Sequence, residues 1–156
     1  MIYLINMPFA SITYPNLALG LFKSLLKNEK INCKVFDLNL FFARLIGYGS
    51  YQNIGRFKDG MDQIGEWLFT PYVWDELSDS SDEEFLDLCA AGLSTVSRVE
   101  DPKGLLKTIR NKVVPDFLRE SLQMLKVHGE PQVVGFTVSF FQTLSSLALG
   151  RLIKEE

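Results

Sequence analysis

The chain has 156 residues, 47% of them hydrophobic and 22% charged, with a formal net charge of -3 and a mean hydropathy of +0.08. That composition fits one globular domain, long enough to bury a core without a disulfide or metal staple. Without a basic excess, neither nucleic-acid binding nor adhesion to anionic membranes has electrostatic support, and no uncharged apolar run approaches the ~18 residues of a membrane span.

The amino terminus, Met1-Ile2-Tyr3-Leu4-Ile5, has no basic region ahead of it, and Asn6 and Pro8 cut the apolar run short. It does not read as a signal peptide, and a cytoplasmic location is expected. Residues Ile2 to Met7 read instead as a strand buried on both faces, as in a parallel sheet. After a loop from Pro8 to Pro15, a helix is expected from about Asn16 to Asn28. Its inner face is assigned to Leu17, Leu21 and Leu25 with Ala18, Phe22 and Leu26, which recur at helical spacing. Asn28-Glu29-Lys30 is a turn, and Cys33 to Leu38 a second strand. A β-loop-α-β unit of this kind implies parallel strands and a right-handed crossover.

From Leu40 to about Ser97 the pattern is helical. A short apolar helix over Asn39–Ile46 ends at Gly47, and a second apolar stretch, Gln63 to Phe69, is stopped by Pro71. The acidic run Ser78 to Glu84 reads as the capped first turn of a helix, not as a metal site. Phe85, Leu88, Cys89, Leu93 and Val96 would form that helix's inner face. Asp101-Pro102 opens a long helix to about Val127, with Leu105, Leu106, Ile109, Val113, Phe117, Leu118, Leu122 and Leu125 inward and Pro115 kinking it. Gly129-Glu130-Pro131 turns the chain into a third strand, Val133 to Val138. A last helix, Thr143 to Lys154, would turn Leu144, Leu147, Ala148 and Leu152 inward.

The fold class is therefore α/β, a Rossmann-like three-layer arrangement. About three parallel strands lie in the order 2-1-3, with a helical insert over about 40–128, all within one domain spanning 1–156. A doubly wound sheet ordinarily has five or six strands, so this one reads as truncated and incomplete. Cys33 and Cys89 lie far apart in apolar surroundings and read as two buried thiols in a reducing compartment, with no CxxC or CxxxCxxC spacing to build a thiolate cluster.

Several strings carry a family likeness in order: Leu4-Ile5-Asn6-Met7-Pro8-Phe9-Ala10-Ser11, Pro15 to Leu21, Asp37-Leu38-Asn39-Leu40, Gly65-Glu66-Trp67-Leu68-Phe69, and Val133 to Gln142 running into Ser145 to Leu149. Together they resemble the amino-terminal, cobalamin-binding region of the radical SAM proteins that mature ribosomally made, bacteriocin-type peptides. The likeness implies a cobalamin-binding-type fold ahead of a radical SAM barrel. That barrel would carry an iron–sulfur cluster and cleave S-adenosylmethionine, the cobalamin delivering a methyl group to carbon. The barrel and its CxxxCxxC are not in this sequence, so the cluster and S-adenosylmethionine belong elsewhere and no autonomous catalysis is expected. No histidine follows the first strand where a DxHxxG motif would supply a lower cobalt ligand. The single histidine, His128, reads as an exposed residue at a helix end.

In open parallel sheets a ligand lies beyond the carboxyl ends of the strands, at the point where the strand order reverses. With order 2-1-3 that crevice falls between the loops after strands one and three. The cofactor-binding candidates are Asn6, Met7, Pro8, Phe9 and Ser11 from the first loop, with Thr13 and Tyr14 beside them. Thr137, Ser139, Phe140, Gln142 and Thr143 come from the third, with Ser145 alongside. Aromatic and methionine side chains next to hydroxyls and amides suit a large, flat, amide-rimmed macrocycle. Ordinary loop chemistry is the competing reading, with Thr143 or Ser145 as helix caps and Phe140 in the core. Gly20 and Gly135 suggest close backbone approach. Glu66-Trp67 could contact substrate or cofactor in the parent enzyme, but such a Trp more often reads as core with its N–H bonded. Asp37 stands where dinucleotide folds place a ribose-binding carboxylate, but without GxGxxG a dinucleotide reading is weakly supported.

Two functional classes follow. The chain is a cobalamin-binding-type part of a radical SAM peptide-maturation (C-methyltransferase-like) enzyme, or a non-catalytic interaction protein that binds a peptide or a partner subunit. The partners implied are a radical SAM barrel chain, a precursor peptide, or a second copy joined through an exposed sheet edge; nucleic acid and membrane are not among them.

Overall fold

Three five-residue strands form one parallel sheet in the order β2-β1-β3: β1 is Ile2–Asn6, β2 Cys33–Asp37 and β3 Val133–Thr137. The structure is a computed structural model that describes residues 1–55, 63–74, 79–96, 99–139 and 141–156, without the side chains of 79–81 and 95–96. Leu4 pairs with Val35 on one side and Gly135 on the other, so the strands stand in step. The central strand is the most apolar and the most buried, as a strand covered on both faces must be.

Side chains alternate across the sheet. Tyr3, Ile5, Phe36 and Phe136 look onto the main core. There the Tyr3 hydroxyl donates to the carbonyl oxygen of Gly129 at 2.7 Å, and Phe136 touches Gly150. Leu4, Val35 and Gly135 look the other way. A Cβ on Gly135 would come within 3.2 Å of Leu4 Cδ2, the close approach its place in a strand suggests.

The first helix, α1 (Leu17–Asn28), starts at Asn16, whose Oδ1 accepts from the Leu19 N–H at 3.2 Å. α1 packs on β2 but turns Leu19 inward, with Leu26 half-covered. The stripe assigned to its inner face lies outside instead: Leu17 is 84% exposed, Leu21 63%, Phe22 55% and Leu25 51%. Helical spacing marks an apolar stripe without telling whether anything covers it. Gly20 is likewise not explained by close contact, since a Cβ there would meet nothing within 4 Å.

The other helices lie between β2 and β3 in sequence, apart from the last. They are α2 (Leu38–Ile46), α3 (Tyr48–Gly55), α4 (Ile64–Trp67), α5 (Asp79–Val96), α6 (Pro102–Thr108), α7 (Val114–Lys126) and, after β3, α8 (Thr143–Glu155). Gly47 ends α2 at φ 82°, a left-handed position that glycine takes without strain. Pro71 does not stop the 63–69 stretch outright but sits inside a 3₁₀ turn, Thr70–Tyr72. Where a kink is expected at Pro115 the structure has a π turn, Ile109–Val113, joining α6 to α7. Proline offers no N–H to the carbonyl of Asn111, and the extra residue advances the helical phase, so that Val114 joins Phe117 and Leu118 in the core.

In α5, Leu86 and Ala90 join Cys89 and Leu93 inside, while Leu88 is exposed. In α8, Leu149 takes the inner place that spacing gave to the exposed Leu147. The core joins Tyr3, Ile5 and Met7 to Phe42, Phe69, Phe117 and Leu118, with Phe42 edge-on to Phe117 at 4.9 Å.

The acidic run reveals a half-buried connection. Asp82 accepts from Trp67 Nε1 at 2.6 Å and pairs with Arg110, whose guanidinium stacks 4.0 Å over the Trp67 ring and donates to Thr70 Oγ1 at 2.9 Å. Trp67 is core with its N–H bonded, as expected, and Asp82 crosslinks α5 to the π turn.

Candidate functional site

The carboxyl ends of all three strands meet at Asn6. Its Oδ1 accepts from Thr137 Oγ1 at 3.1 Å and from Asn16 Nδ2 at 3.3 Å, and its own Nδ2 donates to Asp37 Oδ1 at 3.4 Å. One buried amide thereby ties the ends of β1, β2 and β3 to the start of α1.

The loop after β1 is bound to the loop after β3 by Gln142. Its Nε2 donates to the Met7 carbonyl at 2.6 Å, while its Oε1 accepts from the Ser139 N–H at 3.1 Å and the Ser139 hydroxyl at 2.7 Å. Both loops carry an aromatic residue in the left-handed region, Phe9 at φ 71° and Phe141 at φ 66°. Such conformations are held only where the surroundings over-determine them. Phe9 is pinned by stacking on Tyr51 at 5.2 Å and an edge contact with Phe42 at 5.7 Å. The Tyr51 hydroxyl donates to the Ala10 carbonyl at 2.8 Å, and burial pushes its pKa up, so this donor stays protonated. Both loops close on Gly65: a Cβ there would sit 2.7 Å from Phe9 Cδ2 and 3.0 Å from Phe141 Cβ.

Glu66, next in chain, caps α8. Its two carboxylate oxygens accept from the N–H groups of Thr143 (2.9 Å) and Leu144 (2.6 Å), where the helix dipole favours negative charge. Neither Thr143 nor Ser145 caps that helix with its side chain; the Ser145 hydroxyl donates to the Gln142 carbonyl.

Of the residues selected from sequence, Asn6, Met7, Pro8, Phe9 and Gln142 are buried, Thr137 is half-buried, and Ser11, Ser139 and Thr143 are exposed. Phe140 lies outside the described residues. The fold brings Asn6 to Thr137 and Met7 to Gln142 and Ser139. Ser11 belongs to a different neighbourhood: its carbonyl accepts from Asn39 Nδ2 at 3.0 Å, and its hydroxyl lies 3.1 Å from Thr13 Oγ1. Sequence reasoning gave no role to Tyr51 or Gly65. A glycine inside a short apolar stretch was the available sign of the latter.

Openings among the described residues at this end of the sheet include the following. A depression of about 630 Å³ lies between Glu66, Ser139, Phe141 and Thr143. A groove of about 470 Å³ runs from Asn6 along the start of α1 to Asp37 and Asn39. A smaller hollow of about 170 Å³ separates Phe9 from Gln52. Among the described residues no three His, Cys, Asp or Glu side chains gather as a metal site, and no helix is long and apolar enough to cross a membrane. His128 is exposed, with Nδ1 accepting from Lys34 Nζ at 2.7 Å.

No family model, curated protein or solved structure matches this chain.

Proposed function

We propose that the chain is the amino-terminal, cobalamin-binding-type part of a radical SAM peptide-maturation enzyme, acting with a radical SAM barrel that lies outside these residues. The observation that carries this reading is the joining of the loops after β1 and β3, where the strand order reverses, through the Asn6–Thr137 and Gln142–Met7 bonds. A corrinoid fits this end of the sheet in one respect. Ser139 and Thr143 stand exposed around the depression of about 630 Å³, where hydroxyls can meet the amide rim of a macrocycle. Met7, Phe9 and Gln142 are buried and do not line that depression, so Ser139 and Thr143 are the selected residues that would hold the group. When bound it would supply methyl transfer; this chain's contribution would be to hold and orient it.

Anaerobic titration with hydroxocobalamin and methylcobalamin, read by visible absorbance and by melting temperature, tests the reading. Saturable binding at micromolar affinity with a raised melting temperature is expected. No spectral change and no stabilisation would overturn it.

A second reading, a non-catalytic interaction protein, is favoured by the exposed flank of α1 together with the outer edge of β3. Leu17, Leu21, Phe22 and Leu25 form an apolar surface, and β3 ends the sheet on one side. Light scattering at micromolar concentration is then expected to show more than a monomer, and L21K/F22K to restore one. A sharp monomeric mass for the unaltered protein would remove that support.

A further inference from the structure

We propose that the groove between α1 and the end of β2 is a binding site for a ribose phosphate, carried by a ribonucleotide. The groove, about 470 Å³, shares Asn6 and Ser11 with the crevice discussed above but opens on the β2 side of β1. The proposal therefore stands independently of the cobalamin reading.

Three features converge on it. The first is Asp37, exposed at the carboxyl end of β2. It occupies the N-cap position of α2 yet makes no cap bond with its side chain, and its Oδ1 receives one long bond from Asn6. A carboxylate so placed can accept both hydroxyls of a vicinal diol, a charge-assisted pairing stronger than a neutral one. The second is Asn39, 1% exposed, whose Nδ2 is fixed on the Ser11 carbonyl while Oδ1 has no partner. A buried acceptor left unpaired is costly, and a hydroxyl entering the groove under a small shift of the Ser11 loop would satisfy it.

The third is Gly20. It sits in the middle of α1, lines the groove, and has nothing within 4 Å of where its Cβ would lie. No internal packing calls for glycine there, and helix propensity disfavours it. A bare backbone facing the groove leaves room for a ligand to approach the helix closely. Lys23, one turn further on, can meet a phosphate, and Tyr14 and Leu40 offer apolar surface to a base.

The test is isothermal titration with AMP, 2′,3′-dideoxy-AMP and ribose 5-phosphate against the unaltered chain, D37N and G20L. AMP is expected to bind, and loss of the diol or of the Asp37 charge to weaken it by about tenfold or more. G20L is expected to abolish binding while raising the melting temperature by about 2–4 °C, because leucine is the better helix former at a site with room for it. That opposite movement separates a blocked site from a damaged fold. If ribose 5-phosphate binds as tightly as AMP, a free sugar phosphate is the source; if it binds more weakly, the ribonucleotide is. No AMP binding at millimolar concentration, equal binding of the dideoxy analogue, or unchanged binding by G20L would overturn the proposal. None of these results depends on whether hydroxocobalamin binds.

Discussion

Replacing Gly65 by alanine tests the joint that holds the two loops together. The added methyl would lie 2.7 Å from Phe9 Cδ2 and 3.0 Å from Phe9 Cε2, too close for any ordinary contact. The ring cannot easily retreat, since it is stacked on Tyr51 and edge-on to Phe42, and its backbone is already left-handed. Overpacking of this kind costs ~2–3 kcal/mol, against which alanine's better helix propensity returns at most ~1 kcal/mol. A net loss of ~1–2 kcal/mol lowers the melting temperature of a domain this size by roughly 2–8 °C. Urea and thermal unfolding of G65A, F9A and F9A/G65A would measure it. F9A alone is expected to cost ~3 kcal/mol through the lost ring. In its background the Gly65 change should cost clearly less, because only the 3.0 Å approach to Phe141 Cβ remains, a coupling well above the ~0.5 kcal/mol seen between independent sites. If G65A destabilised both backgrounds equally, or stabilised the unaltered chain, Phe9 would not be the group that requires glycine at 65.

E66Q keeps the size of the side chain but removes its charge and one of its two acceptors at the start of α8; it should cost ~1 kcal/mol, with faster hydrogen exchange at the Thr143 and Leu144 amides than in β1. R110M leaves Asp82 without its cation, with the Trp67 N–H still donating to it, and the Trp67 ring without its stacked guanidinium; because Asp82 is 34% exposed, the expected loss is ~2 kcal/mol, less than for a fully buried pair, and R110M/D82N should lose less than R110M alone. Cys89 is buried, which pushes its thiol up to about 11 from 9.0, so a thiol reagent should label Cys33 in the native protein and reach Cys89 after unfolding. The folded state holds the Cys89 proton more tightly than the unfolded chain does. Its contribution is therefore complete below pH 9 and is lost as the pH rises toward 11, and C89A should flatten that part of the stability profile.

The order of strands and their parallel sense were legible because β-loop-α-β spacing admits few arrangements. The strands are short, largely apolar runs, Lys34 and Asp37 of β2 apart, bounded by turns at Lys30 and Gly129, and the structure places them within a residue of where the pattern does. What the pattern could not carry is contact between distant parts of the chain. Glu66 caps a helix that starts 77 residues later, and Asp82 reaches Arg110 across 28. In sequence, Glu66 has no more claim to that task than Glu83 or Glu84. Within helices, spacing identifies apolar stripes but not their cover, which is why α1 was read inside out and Leu88 and Leu147 were placed inward. At the loop ends, Met7 and Gln142 were selected for their chemical types. Their burial follows from Gln142 reaching Met7 across 135 residues, a distance no local pattern spans.

The exposed flank of α1 has a topological cause. Passing from β1 to β2 moves the chain one strand outward, and the right-handed crossover puts α1 on one face. Passing from β2 to β3 reverses the direction and carries α2 to α7 to the opposite face, where Tyr3 meets the end of α7 and Phe136 meets α8. With three strands in the order 2-1-3, one helix alone can lie beside Leu4, Val35 and Gly135. Helices on a fuller sheet would shield one another there, whereas α1 has no neighbour among the described residues to cover Leu17, Leu21, Phe22 and Leu25. Each such side chain is worth ~1.5–3 kcal/mol when fully buried, so four of them leave several kcal/mol unrealised in the isolated chain. That reserve is of the size needed to offset the entropy lost on association. The proposed partner-dependent role draws its physical support from this one-sided coverage.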